Sequence, residues 1–285
     1  MNVLKILKQF ILDIIFPIAC LGCQREGVWL CDDCLKKISL KTYDEKINKS
    51  SPLDGLFYAT PYENKIIQEA IHTLKYKYIE TLAHSLGELL TSYLLKLDTS
   101  VTSSINSGSL SSSLSDEVQA SFRPELKAEG RAEGSVNPER NNESIPRCLL
   151  SGSRGVDKKE HLAILESPKN TLLIPVPLHK KRFLERGFNQ AELIAKEFNK
   201  NFHFNLQTKI LVRAKWTMPQ VKLKGRQRKE NIKGVFMVKN WNFSGKNVII
   251  LDDVATTLAT LEECAKVLKQ TGAQKVWGLV VAHGG

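Results

Sequence analysis

Cysteines, long apolar runs and nucleophilic triads are all scarce in this 285-residue chain. Its six cysteines are too few to staple a chain of this size, and four of them sit in two C-x-x-C pairs. That usage suits a reducing cytosol and a bound metal rather than a disulfide scaffold. No apolar stretch is long and uncharged enough to span a bilayer. The apolar opening, Met1–Ala19, is interrupted by Asp13, and metal-type cysteines follow where a signal peptide would show a cleavage site. No Ser–His–Asp or Cys–His pattern suggests a covalent nucleophile. Taken together, these absences point to a cytoplasmic protein without a transmembrane segment.

What the chain does have is positive charge, +11 overall, which calls for an anionic partner. The charge is uneven. Residues 98–170 hold nine Lys/Arg against eleven Asp/Glu, so the excess lies entirely outside that stretch. Residues 99–170 also open on a Ser-rich run and carry Asn, Pro and Glu throughout. A connection of about 70 residues is far beyond the ~12–15 usual in a compact domain, and it is expected to be a disordered insertion. Three other segments surround it: 1–45 with the cysteines, 50–98, and 171–285.

In segment 1–45, Val3, Leu4, Leu7, Phe10, Ile11, Ile14 and Ile15 fall at helical spacing. The amphipathic helix they predict is expected to pack on protein, not on a membrane surface. Segment 50–98 predicts a strand over Leu56–Thr60, then helices over Asn64–Lys75 and Ile79–Leu97, with Pro61 as the break between strand and helix. From Thr171 the pattern is strand, loop, helix, repeated: strand Leu172–Val176, helix Asn189–Phe198, strand Asn247–Leu251, helix Leu261–Gln270 ended by Gly272, strand Val276–Ala282. Alternation of this kind predicts an α/β fold with a mostly parallel sheet and covering helices.

Cys20, Cys23, Cys31 and Cys34 give C-x2-C-x7-C-x2-C. Two tight turns, each supplying two thiolates, can close a tetrahedral sulfur shell around a structural zinc ion. Gly22 suits such a turn because glycine tolerates positive φ. A redox pair, buried free thiols or an iron–sulfur cluster are the competing readings. Cys148 has no metal role here, and Cys264 lies on the apolar face of a helix and is expected in the core.

The richest stretch is Val248-Ile-Ile-Leu-Asp252-Asp253-Val-Ala255-Thr256-Thr257-Leu258-Ala259-Thr260. An apolar strand ends in two acids, a short hydroxyl loop follows, and then a helix begins. Such acids can accept hydrogen bonds from sugar hydroxyls, while loop hydroxyls and helix N-terminal amides can hold a phosphate. Any α/β protein could place acids and Thr caps at a strand end, but the density of both favours a sugar-phosphate site.

This block resembles the phosphoribosyl pyrophosphate (PRPP) motif of type I phosphoribosyltransferases. Ile174-Pro-Val-Pro-Leu-His-Lys-Lys-Arg-Phe-Leu-Glu-Arg-Gly-Phe-Asn-Gln190 is similar to the ComF family's run of two prolines, basic loop and Arg-Gly-Phe-Asn-Gln. Leu74-Lys75-Tyr76 and the preceding cysteine module resemble that family as well. The resemblance implies a type I phosphoribosyltransferase fold with a small N-terminal zinc module. It also implies Asp252 and Asp253 on the ribose hydroxyls, through magnesium or directly, as the catalytic pair. Residues 252–260, with Ala255, Thr256, Thr257, Leu258, Ala259 and Thr260, would form the PRPP site, the three threonines binding the 5-phosphate. The loop after Pro177, with His179, Lys180 and Arg182, would face the pyrophosphate. Leu258 stands where the family loop has glycine.

A basic stretch from Arg213 to Lys233 holds eight cations against Glu230, with Trp216 and Phe236 interleaved or close by. Arg213, Arg226 and Arg228 are its candidate nucleic-acid contacts, with Trp216 and Phe236 as stacking platforms. A solvated face is the plainer account. Of the histidines only His179 sits in a candidate ligand loop; His72 and His283 are expected to be structural. Two functions stay open. One is phosphoribosyl transfer from a PRPP–magnesium complex. The other is a non-catalytic DNA-processing protein, bound to single-stranded DNA and a competence helicase. The family's link to DNA uptake supports a role in natural competence for either.

Overall fold

The computed structural model describes residues 18–41, 50–103, 168–217 and 231–284. The predicted N-terminal helix, most of the insertion with Cys148, and Arg226 and Arg228 lie outside the described residues. The described residues up to Asp98 and from Pro168 onward belong to one compact unit, and the packing below is that of this unit.

Five strands build one all-parallel sheet: β1 (Gly55–Pro61), β2 (Thr171–Pro175), β3 (Asn205–Leu206), β6 (Asn247–Ala255) and β7 (Lys275–His283), in the order β1-β7-β6-β2-β3. The α/β architecture expected from the strand–helix alternation is thus present. A short antiparallel pair, β4 (Leu211–Arg213) with β5 (Phe236–Val238), stands apart from it and has no counterpart in the sequence reading. Parallel strands buried on both faces read as continuous apolar runs, and every residue of β2 is buried. Successive side chains go to opposite faces. Ile249 and Leu251 enter one core with α2 (Lys65–Tyr76), α3 (Leu82–Ser103) and α5 (Gln190–Phe202). Val248 and Ile250 enter a second core with α6 (Ala259–Gln270) and the β4–β5 pair.

Local chemistry sets the helix ends. Asn64 caps α2 by accepting from the Ile66 and Ile67 amides at 3.1 and 3.2 Å. Asn189 caps α5 through the Ala191 amide and donates to the Val176 carbonyl at 3.0 Å, tying α5 to the end of β2. Gly187, at φ +82°, ends α4 (Lys180–Arg186) in the left-handed conformation that glycine adopts at little cost. These contacts give Arg-Gly-Phe-Asn-Gln an architectural role: it joins α4 to α5 at the carboxyl end of β2. The stretch expected as a basic loop is itself helix α4, with His179 as its N-cap accepting from the Lys181 amide. Its exposed Phe183 and Leu184 explain the miss, because no apolar stripe marks the helix.

Two further expectations change. β6 does not stop at Leu251 but continues to Ala255, held by pairing of Asp252 with Val280 and Val254 with Ala282 on β7. Pro61 is the last residue of β1 rather than a separate breaker. His72 and His283 pack against Tyr76 and Tyr58, at 4.8 and 5.2 Å between ring centres. Among the described residues no helix is long and apolar enough to cross a membrane.

Candidate functional site

In open α/β sheets a ligand crevice forms at the carboxyl ends of the strands, where the chain order reverses. Here β3 lies on one side of β2 and β6 on the other, so the reversal falls between β2 and β6. The carboxyl end of β2 leads through Pro177 to His179 and α4. The carboxyl end of β6 carries Asp252 and Asp253, then the turn 256–258 and the start of α6.

Several basic side chains reach this end of the sheet. Lys75, from the last turn of α2, places Nζ 2.6 Å from Asp253 Oδ2, with the Asp253 side chain only 3 % exposed. Asp253 Oδ1 accepts from the Val254 amide at 2.8 Å, and Asp252 Oδ1 from the Asp253 amide at 2.9 Å. Burial, then the Asp253 charge, push the Asp252 carboxyl well above its ordinary pKa despite the opposing pull of Lys75. Burial alone would lower the Lys75 pKa, but the charges of Asp253 and Asp252 outweigh it and raise it. Arg213 is pushed down by burial and by the like charge of Arg182, with Asp252 acting in the opposite sense. Its guanidinium donates to Thr217 Oγ1 and lies 5.6 Å from the centre of the Phe236 ring. Trp216, beside Thr217, has Lys181 Nζ at 4.9 Å, the Arg182 guanidinium at 5.9 Å and the His179 ring at 5.2 Å. Arg186 completes the set, 5.4 Å over the Tyr76 ring and hydrogen-bonded to Gln190.

The candidate residues are therefore sorted by the fold. Asp252, Asp253, Arg182 and Arg213 come together, and His179 meets Trp216. Lys180 is exposed at the first position of α4. Thr256, Thr257 and Leu258 form the turn, while Thr260 lies one residue inside α6. Ala255 and Ala259 are buried in the second core, so only their backbone is left for a ligand. Leu258 takes φ +56° and ψ −6°, the left-handed geometry that favours glycine, with its side chain packed on that core. Lys75 and Arg186 were not singled out from sequence as site residues. The signal for Lys75 was there: it sits four residues after Ile71 and eight after Ile67, on the apolar stripe of α2 where a lysine needs a partner.

The cysteines form a second, closed cluster. The sulfurs of Cys20, Cys23, Cys31 and Cys34 all lie within 4.8 Å of one another, and Cys31 Sγ is 3.6 Å from both Cys20 and Cys23. A tetrahedral zinc with bonds of about 2.3 Å separates its sulfurs by about 3.8 Å, so the four residues fit such an ion and could hold it. Amides of Gly22 and Cys31 point at Cys20 Sγ, at 3.5 and 3.4 Å. Burial raises the Cys20 thiol, but amide donors from Cys23, Cys31 and Gly22 outweigh it and bring the pKa to about 6. Gly22 does not use positive φ; Gln24 does, at +61°. Glycine is required at 22 for room, because a Cβ there would lie 2.6 Å from Cys34 Sγ. Three of the cysteines, with Leu30 and Ile38, pack into the same core as α2 and α3. Cys264 is fully buried in the other core, as expected.

No protein-family model matches the chain. Among curated proteins it is 32 % identical over 145 residues to "Competence protein F" of Haemophilus influenzae, spanning 50 % of this chain and 61 % of that one. It is 38 % identical over 111 residues to "Competence protein ComFC" of Bacillus subtilis, spanning 36 % of this chain and 40 % of that one. It is 34 % identical over 109 residues to "DNA utilization protein YhgH" of Escherichia coli K12, spanning 38 % of this chain and 48 % of that one. The matched stretches thus span about half the length of these relatives. Similarity at this level to proteins of these three names, together with the parallel sheet and its four-cysteine cluster, supports a place for the chain in the ComF family.

Proposed function

We propose that this protein binds PRPP or a similar sugar phosphate at the carboxyl end of β6 and acts in DNA uptake. The observation that supports the reading best is the placing of Asp252 and Asp253 at the sheet's order reversal, ahead of a hydroxyl turn and the start of α6. The strand end with Asp252, backed by Asp253, would face the ribose hydroxyls, and Thr256, Thr257, Thr260 and the first amides of α6 the 5-phosphate. The basic side chains Lys180, Arg182 and Arg213 would meet the pyrophosphate, with His179 beside them. Magnesium, when bound with the ligand, supplies charge neutralisation between pyrophosphate and acids.

In a transfer reaction the bond from ribose C1 to the pyrophosphate oxygen breaks, and an acceptor forms a new bond to C1. The protein's part is to position both and to balance the separating charge, so no protein nucleophile is needed. The cysteine cluster is proposed as a structural zinc site, since its four ligands leave no open position. Calorimetric titration of PRPP with magnesium into the zinc-loaded protein tests the reading. Saturable binding of one ligand per chain is expected, and heats no larger than dilution would overturn it.

A second reading is favoured by one observation, the left-handed Leu258 in the turn where the family has glycine. In this version the pocket is vestigial, and Trp216 with its cations, continued by Arg226 and Arg228, holds single-stranded DNA beside a helicase. Salt separates the two. Binding that neutralises several phosphates weakens by orders of magnitude between about 50 and 200 mM salt, and a preformed sugar-phosphate pocket responds less.

A further inference from the structure

The geometry points to a division of labour between the two strand-end acids: Lys75 is a positioning residue that locks Asp253 in place and leaves Asp252 as the carboxyl a ligand meets. The ligand half of this inference rests on the function proposed above; the lock itself does not.

Consecutive residues of a strand point to opposite faces. Asp253 follows Ile249 and Leu251 toward the face covered by α2, and Asp252 follows Val248 and Ile250 toward α6 and β4. On its face Asp253 has both oxygens engaged, Oδ1 by the Val254 amide and Oδ2 by Lys75 at 2.6 Å, with the side chain 3 % exposed. A sugar hydroxyl could reach it only by displacing the lysine. Asp252 gives one oxygen to the Asp253 amide and remains partly exposed on the side where Arg213 and Arg182 lie.

Lys75 is well placed for the lock. It sits in the last turn of α2, where the helix dipole favours a cation. The neighbouring Tyr76 lies under the Arg186 guanidinium, which anchors this end of α2 to α4. Removing one member of a buried ion pair strands a charge, whereas removing both does not. The lock is therefore separable from the ligand contact by mutation.

The test is a double-mutant cycle on the zinc-loaded full chain, with Lys75→Met, Asp253→Asn and the double variant, read by thermal denaturation and by titration with PRPP–magnesium. Each single variant should lower the melting midpoint, and the double variant should recover much of the loss. Lys75→Met should weaken PRPP, and the double variant should restore affinity to within about threefold of wild type. Asp252→Asn, which leaves the lock intact, should weaken PRPP by about 100-fold, the scale of a lost charged hydrogen bond. Additive losses in the melting cycle would overturn the lock. A double variant that binds as poorly as Asp252→Asn would overturn the division of labour. If the wild type binds no PRPP, the proposed function fails, and the melting cycle alone decides whether Lys75 holds Asp253.

Discussion

The cysteine cluster and the charged end of β6 both gather side chains whose chemistry calls for a partner, and they hold them in opposite ways. The four sulfurs face one another across 4.8 Å or less, and three of the cysteines are buried. Their natural complement is a single ion that fills the space between them. At β6 the side chains converge on the carboxyl end of the strand: Lys75 and Asp253 cancel each other, while Asp252, Arg182 and Arg213 remain beside them. A closed set of ligands contributes to the fold, and a partly balanced set of charges costs the fold something that a bound ligand can return. Loss of a cysteine should therefore destabilise the fold, whereas loss of the acid outside the ion pair, Asp252, should stabilise it, and that contrast can be broken.

The largest effect is expected from Cys31→Ser. One lost thiolate opens the sulfur shell, and the same residue packs into the core of α2 and α3. The variant should fail to retain zinc and lose more than about 4 kcal/mol of stability, read by metal analysis and calorimetric melting. Unchanged melting after metal loss would show that the cluster is not structural. Gly22→Ala should act in the same direction and less strongly. A methyl group 2.6 Å from Cys34 Sγ must move that sulfur. Overpacking of this kind costs about 1–3 kcal/mol, and chelator competition should show weaker metal retention.

These two variants also show how far the sequence could be read. The C-x-x-C spacing specified the cluster in full, because metal ligation is a local pattern of residue types. It misplaced the reason for Gly22, because the crowding comes from Cys34, twelve positions away. The apolar runs specified β1, β2, β6 and β7 for the same reason that the cysteines were legible: burial on both faces is written in consecutive residues. The extension of β6 to Ala255 depends on pairing with β7, and the type of residue at Asp252 argues against a strand. Helix α4 has no apolar stripe, so its seven residues resembled a basic loop. Lys75 was the hardest to assign. Its place on an apolar stripe calls for a partner without naming one, and that partner, Asp253, lies 178 positions later.

At the open region the sign should reverse. Asp252 has a pKa raised chiefly by burial and next by Asp253. Below the ordinary carboxylate pKa it is protonated in both folded and unfolded chains, and it costs nothing. As pH rises past that value the unfolded chain loses the proton first, so stability falls until the folded-state pKa is passed. Asp252→Asn has no such titration. At pH 7 it should be more stable than wild type by about 1.4 kcal/mol for each unit of upward shift. The gain should shrink as pH approaches 4. Calorimetric melting at both pH values reads it, and a variant that melts lower than wild type at pH 7 would remove the contrast between the two regions.

The smallest effect on stability is expected from Leu258→Gly, whose main readout is ligand binding. A leucine at φ +56° carries strain of about 1–2 kcal/mol that glycine would relieve. Against this, glycine adds about 0.5–1 kcal/mol of backbone freedom to the unfolded chain. Losing a half-buried leucine from the second core costs about 1 kcal/mol more. The three terms nearly cancel, and the melting midpoint should stay within about 3 °C of wild type. Ligand binding has no such cancellation, because a bare backbone at 258 lets a phosphate approach the first amides of α6. Tighter PRPP–magnesium binding by about tenfold or more, with unchanged melting, would make Leu258 the side chain that restrains this pocket. Equal affinity in the two proteins would mean that the turn already presents its amides with leucine in place. The left-handed geometry would then be the feature that matters, reached here by strain where glycine reaches it freely.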